Sequence, residues 1–587
     1  MQFSKISRLF AACTMAVSAM FVLNACKEDE EVFPAPSVSA GTEASGVPGA
    51  KVNVTASVSA PAGLKTLTVL KNGAPFDTKT YGGTETSDNY TKEYTIDNLA
   101  AGTTVNFTVI ATDSKNQSSP ATTFTVKVTA VPPKEVVTVK GVLTGNVTWT
   151  KNKIYKLSGF VRVGGDTTSA TAAGVSTGIL TIEPGTVIIG ERATKGTLII
   201  QRGSQIVANG TAAEPIVFTS ERGVGEREAG DWGGLVICGK AVNNLPGGSA
   251  QLEGSYKGWH GGTSDTDNSG SLKYVRVEYA GVPINPNQEI NSFTFGSVGS
   301  GTVLENLQAS FGGDDAYEWF GGTVNAKYLI SYRTLDDDFD MDNGYRGSIQ
   351  FAVALRGGTS ADQSGSNGFE VDNDGQGTVN EPFTAPTLSN VSLIGAKQSQ
   401  ETFISTLFQN GMHLRRNNKI KVYNTFVTGF PNGVYIDGST TAANANSGSL
   451  VLNNIILAGV TGWGSNGFGQ GAPTLPSGFP VRDINTATPA ADLSIGGKKP
   501  SEWFAGLTGN KVLASWSTSG INTNVFGTGR PTFTLTATAA DALNKGITAP
   551  TGLPAFITPT TYVGAFDATD WTATWAEFNP SSVVYIK

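Results

Sequence analysis

The chain has 587 residues, a net charge of −7, only 15% charged residues and 72 glycines. That length admits several domains or one long solenoid, and a composition rich in Gly, Thr, Ser, Asn and Val favours short strands and tight turns over helices. The acidic balance, with basic residues gathered into no stripe, argues against nucleic-acid binding.

At the N-terminus, Lys5 and Arg8 precede an apolar run from Leu9 to Leu23. The run is short for a membrane span and has the layout of an export signal. Leu23-Asn24-Ala25-Cys26 resembles a bacterial lipobox, with Asn24 where a small residue is usual. The resemblance implies a lipoprotein signal peptide over 1–25 and an acylated Cys26 that anchors the chain in the outer membrane. Lys27-Glu28-Asp29-Glu30-Glu31 resembles the tag that sends Bacteroidota lipoproteins to the exterior face of that membrane. Read as residues alone, 26–35 is an acidic tether. Cys13 lies in the signal and Cys238 in the apolar strand Leu235-Val236-Ile237-Cys238, which leaves no disulfide framework and no cysteine metal site.

From 36 to 131 apolar residues alternate, as in Val52, Val54, Ala56, Val58 and Val105, Phe107, Val109, Ala111, with turn signals such as Lys71-Asn72-Gly73. This predicts a small β-sandwich. The segment Ile110-Ala111-Thr112-Asp113-Ser114-Lys115-Asn116 resembles bacterial immunoglobulin-like and fibronectin III-like domains, which implies a spacer beside the anchor.

Val131-Pro132-Pro133 ends that region, because consecutive prolines cannot extend a sheet. Over 140–460, short apolar strands broken by glycine follow: Leu180 to Ile188, Leu198 to Thr211, Pro215 to Ser220 and Asp231 to Leu235. They resemble the opening coils of right-handed β-helix proteins from bacterial surfaces, the pectate-lyase-like fold. A series from Leu272, Val303, Ala326, Ile349, Leu388, Ile420 and Leu450 then interleaves with acid-rich segments, coil after coil. Residues 461–587 read as a loop-rich C-terminal cap with a short helix near Pro500 to Leu507 and an aromatic ending. The predicted fold is all-β: a small sandwich, a right-handed parallel β-helix, and the cap.

The acid-rich segments Tyr317-Glu318-Trp319-Phe320, Phe339-Asp340-Met341-Asp342 and Phe369-Glu370-Val371-Asp372 alternate apolar and acidic residues, and Met412-His413-Leu414-Arg415 and Val434-Tyr435-Ile436-Asp437 fit the same frame. One face of such a strand is buried and the other exposed. The exposed columns are then Glu318, Asp340, Glu370, His413, Tyr435 and Phe320, Asp342, Asp372, Arg415, Asp437. Stacked at about 4.8 Å, the carboxylates repel unless a counter-ion intervenes. Glu318, Asp340, Asp342, Glu370 and Asp372 are therefore candidate calcium ligands, with Asp314, Asp315, Asp336, Asp337 and Asp374 in adjoining turns. Structural turn acids explain part of the same pattern. Asp340, Glu370, His413 and Arg415 are catalytic candidates, since the ladder resembles the sites of pectate lyases and polygalacturonases. Trp259, Phe320, Arg415 and Tyr435 are candidate ligand contacts.

Three functions stay open. The first is a surface lipoprotein that binds an extracellular ligand, such as a glycan, in nutrient acquisition beside a TonB-dependent transporter. The second is a calcium-dependent lyase or a glycoside hydrolase acting on an acidic glycan. The third is a structural or adhesive surface protein. No organic cofactor is expected.

Overall fold

The computed structural model describes residues 31–165, 175–285, 288–397, 404–459, 481–483, 493–513, 519–527 and 529–586. Cys26 and residues 27–30 lie outside them. The chain divides into two units at Pro132. No helix among the described residues is long and apolar enough to cross a membrane.

The first unit holds a three-stranded antiparallel sheet (Ser37–Ala40, Lys51–Ser59, Ser87–Thr95) and a five-stranded sheet (Ala44–Gly46, Thr122–Val128, Thr104–Asp113, Leu64–Lys71, Ala74–Thr80). The inward positions predicted by alternation, including Val54, Val58, Phe107, Val109 and Phe124, form one core shared by both sheets. Asn72 and Gly73 both take positive φ, the conformation that a tight two-residue hairpin requires.

The second unit is a right-handed parallel β-helix. One sheet has ten strands in parallel register, from Val142–Leu143 to Asn432–Ile436. Another has fifteen and carries the interleaved apolar series. Up to residue 220 each coil contributes two short strands to the larger sheet. Gln205–Asn209 and Ile216–Ser220 both pair with the single strand Gly270–Glu278. From that coil onward, one residue replaces the loop between them. Tyr274, Asn306, Tyr328, Phe351, Asn390, Asn424 and Asn454 occupy equivalent places on successive coils, each with φ between 46° and 62°. A single left-handed residue per coil thus turns the corner while the hydrogen-bonded ladder continues on both sides.

Inside the coils, Tyr317, Phe339, Phe369, Met412 and Val434 stack in register and are fully buried, as are Trp319, Met341, Val371, Leu414 and Ile436. Phe293, Tyr317 and Phe339 form a continuous ring stack at 5.1 and 5.5 Å. The end of this core is covered by Val481, Leu493, Ile495 and Phe504, the last from the helix Pro500–Ala505, and by Ala442 and Ala445 of the helix Ser439–Ser447. The aromatic ending does something else. It runs back along the outside of the fifteen-stranded sheet: Gly564 Oaccepts from Asn390 Nδ2, Trp575 packs on Tyr274, and the Tyr585 hydroxyl donates to Glu278. At the left-handed corners Tyr274, Tyr328, Asn390 and Asn424 turn rings or amides outward, and those groups take this strap as their partner.

Candidate functional site

Glu318, Asp340, Glu370, His413 and Tyr435 are direct partners on successive strands of the ten-stranded sheet. They point away from the core because alternate positions are filled by the rings and aliphatic groups that form it. Facing outward does not leave them in water. Glu318 and His413 are each 7% exposed and Tyr435 1%, so the exposure expected from alternation is corrected by loops that roof the face.

The turns before two of these strands bring Asp314, Asp315, Asp336 and Asp337 alongside. Asp315 Oδ1 accepts the Asp337 amide at 2.7 Å, and Asp337 in turn accepts the Asn367 amide, which links three consecutive coils. Behind them, Arg356 and Asp338 form an ion pair at 2.9 Å with both side chains fully buried. Arg356 also donates to the carbonyls of Thr334, Leu335 and Asn367, which fixes the turn that presents Asp336 and Asp337.

These groups surround a cavity of about 490 Å³. Asp314, Asp315, Glu318, Asp336 and Asp340 line it from the coils. Glu253, Glu289 and Asp362 close it from loops, with Gln363 and Ser364, and no Lys or Arg is among these lining residues. Three sets of carboxylates bring oxygens within 4.8 Å of one another: Asp314 with Asp315 and Asp336, Asp315 with Glu318 and Asp340, and Asp337 with Asp340 and Glu370. Asp315 and Asp340 each belong to two sets, so the sets form one continuous row.

Burial first, and then the charge of Asp340, holds the Glu318 carboxyl well above the usual range. Burial and the neighbouring acids raise Asp314, Asp315, Asp337 and Asp340 in the same way. Asp336 is pushed up to about 7, by burial and then by Asp362 and Glu370 against a hydrogen bond from Ser364. Buried oxygens of Asp336 and Asp340 have no hydrogen-bond partner. A donor set made wholly of carboxylate oxygens, two of them buried and unsatisfied, fits a hard divalent cation of the calcium class.

The next coils behave differently. Arg415 donates from Nε to Asp372 at 2.8 Å and from Nη2 to Glu370, and Arg416 donates to Asp372 at 2.5 Å. His413 Nε2 lies 3.2 Å from Asp437, and its ring stacks on Tyr435 at 5.0 Å. Burial alone would raise Glu370, but His413 and Arg415 bring it below its ordinary value. The ladder therefore has an open acidic end and a salt-bridged end.

Of the candidate metal ligands, Glu318, Asp340 and Glu370 fall into the three sets. Asp342 and Asp372 do not: Asp372 is held by the two arginines, and Asp342, in the adjoining column, accepts its neighbour Asn343's amide at 2.6 Å. Among the catalytic candidates, Glu370, His413 and Arg415 sit together and Asp340 faces the cavity. The candidate ligand contacts are not brought together. Phe320 packs with Leu252 and Ile290 and lies 6.2 Å from the His260 ring, Trp259 is half-buried in the hairpin with Ala250–Gln251, and Tyr435 lies beneath Arg482. Glu253, Glu289 and Asp362 carry no signal in the sequence, because they come from excursions between the coils that do not share the ladder's period, Glu289 from a two-residue strand paired with Pro283–Asn285.

Fold and site together define a parallel β-helix with an acid-lined outer cavity. Residues 141–508 match the family described as "Pectate-lyase like beta helix domain", and the chain belongs to that family. A further likeness is to the fibronectin(III)-like modules of Clostridium thermocellum CbhA, at 17% identity over 16% of this chain and 95% of that one, with a TM-score of 0.12. No curated protein matches the chain.

Proposed function

We propose that this is a lipid-anchored protein of the outer membrane, facing the cell exterior, that binds divalent cations of the calcium class in its acid-lined cavity and through them captures a carboxylate-bearing extracellular glycan. The observation that carries the reading is the cavity lining, which contains eight acids and no basic side chain. An acidic ligand would be repelled by that wall alone. A cation held by several carboxylates inverts the local charge and retains coordination positions for ligand oxygens.

Acylation of Cys26 and a role beside a TonB-dependent transporter give this binding its setting. Binding is favoured over β-elimination because Arg415, the basic candidate nearest the row, is engaged by both Glu370 and Asp372, which raise its pKa against the effect of burial. A guanidinium so held is a poor general base.

The test uses protein spanning 27–587. Calorimetry should show calcium binding that the double substitution Asp314→Asn, Asp336→Asn weakens strongly. Polygalacturonate, as an acidic glycan probe, should be retained with calcium and released by a chelator, with its chain length unchanged. Absence of any calcium heat or melting shift overturns the reading, and shortened glycan products would favour the enzyme instead.

A further inference from the structure

The row of carboxylate sets stops at Glu370, although the acidic ladder continues to Asp372 on the same strand end. What changes there is the next coil. The register pairs Val371 with Leu414, so Arg415 stands directly beyond Asp372, and its guanidinium reaches back between two carboxylates. Nε takes Asp372 and Nη2 takes Glu370, with the arginine side chain 22% exposed and its partners 5% and 16% exposed. A planar cation that bridges two carboxylates of one rung satisfies the same charge demand that is left open upstream.

A second nitrogen approaches Glu370 without satisfying it. His413 Nδ1 is buried, has no hydrogen-bond partner, and lies 3.7 Å from Glu370 Oε2. The other ring nitrogen is oriented by Asp437. Glu370 Oε1 is taken by Arg415 and Oε2 accepts from Asn367 Nδ2 at 3.2 Å, so His413 Nδ1 is the neighbouring nitrogen left short of full contact.

We propose that Arg415 is a built-in replacement for a bound cation, its guanidinium filling the last ion position of the row between Glu370 and Asp372. This deepens the cation-binding reading of the cavity and rests on it for the upstream positions. The corollary is a latent site: once the Arg415 charge is removed, Glu370 and the Asp372 Oδ1 that Arg415 held become ligands for one additional divalent ion, while Arg416 keeps Asp372 Oδ2.

Calcium bound per chain is counted by equilibrium dialysis for the wild type, Arg415→Gln, Arg415→Lys, and Arg415→Gln combined with Asp372→Asn. Arg415→Gln should bind one ion more than the wild type, Arg415→Lys the wild-type number, and the double variant should lose the extra ion. If Arg415→Gln fails to fold in chelator, calcium must restore its fold. A folded Arg415→Gln with the wild-type count overturns the inference, as does an unfolded one that calcium does not restore. A wild type that binds no calcium overturns the cavity reading; the inference then stands only if Arg415→Gln gains one ion and falls if it gains none.

Discussion

Glu318 and Asp340 are direct register partners on adjacent parallel strands, and with Asp315 they bring carboxylate oxygens within 4.8 Å of one another. Two full charges at that separation repel by about 3 kcal/mol at an effective dielectric constant of about 20. The row holds several such pairs, so its protonation, and on the proposed reading its ion content, set the stability of this part of the helix.

In chelator, stability should fall as pH rises. A carboxyl whose folded pKa is raised holds its proton more tightly in the folded chain, so folding is favoured most near the unfolded value of about 4 and loses that advantage up to the folded value. Asp336 and Asp342 place that window between about 4 and about 7 to 8. The melting temperature with chelator should be lower at pH 8 than at pH 5, and saturating calcium should remove or reverse the difference. A chelated protein that melts higher at pH 8 contradicts the assignment.

Asp340→Asn removes the carboxylate shared by two sets. Relief of repulsion should raise the melting temperature in chelator, while calcium affinity should drop tenfold or more, which is about 1.4 kcal/mol. The two changes have opposite sign, and calorimetry beside thermal melts at one pH separates them from a general loss of fold.

Arg356→Met leaves Asp338 as an unpaired charge in a site closed to solvent. The expected loss is about 3 to 5 kcal/mol, and Asp338→Leu in the same chain should recover much of it, since replacing both members of a buried pair is far less costly than breaking it. Urea unfolding of the two variants checks this. Equal losses would mean that the pair does not act as a unit.

Asn424 sits at a left-handed corner, donates to the Thr560 carbonyl of the strap at 3.1 Å and accepts from Asn454 at 2.7 Å. Asn424→Ala should cost about 1 to 3 kcal/mol through these lost bonds. Asn424→Gly should cost about 1 kcal/mol less than Ala, because glycine adopts the positive φ without strain. Hydrogen exchange should show the strap near Thr560 opening more readily in both.

Much of the fold is legible in the amino acids. The columns through Tyr317 and Trp319 can be aligned by eye because apolar and acidic side chains alternate with period two, and a one-residue slip would put aspartates in the core. The corners are not legible. Tyr274, Tyr328 and Phe351 take left-handed conformations although none is a turn-forming residue, and only the sheet on either side holds them there. The aromatic ending shows its apolar character in the sequence, but its place along the side of the helix depends on Tyr274, Tyr328 and Tyr332, which lie some 240 to 300 residues earlier.

What the sequence determined by itself was the strand period, the register of the ladder and the identity of the acids along it, because these are local and follow from which side chains tolerate water. Only the tertiary structure decided which acids share a site. Glu253, Glu289 and Asp362 enter the cavity through loops, and Arg415 closes one end of the row while leaving the other open. A carboxylate's charge state is set by every group within a few ångströms, and that neighbourhood is assembled from distant parts of the chain.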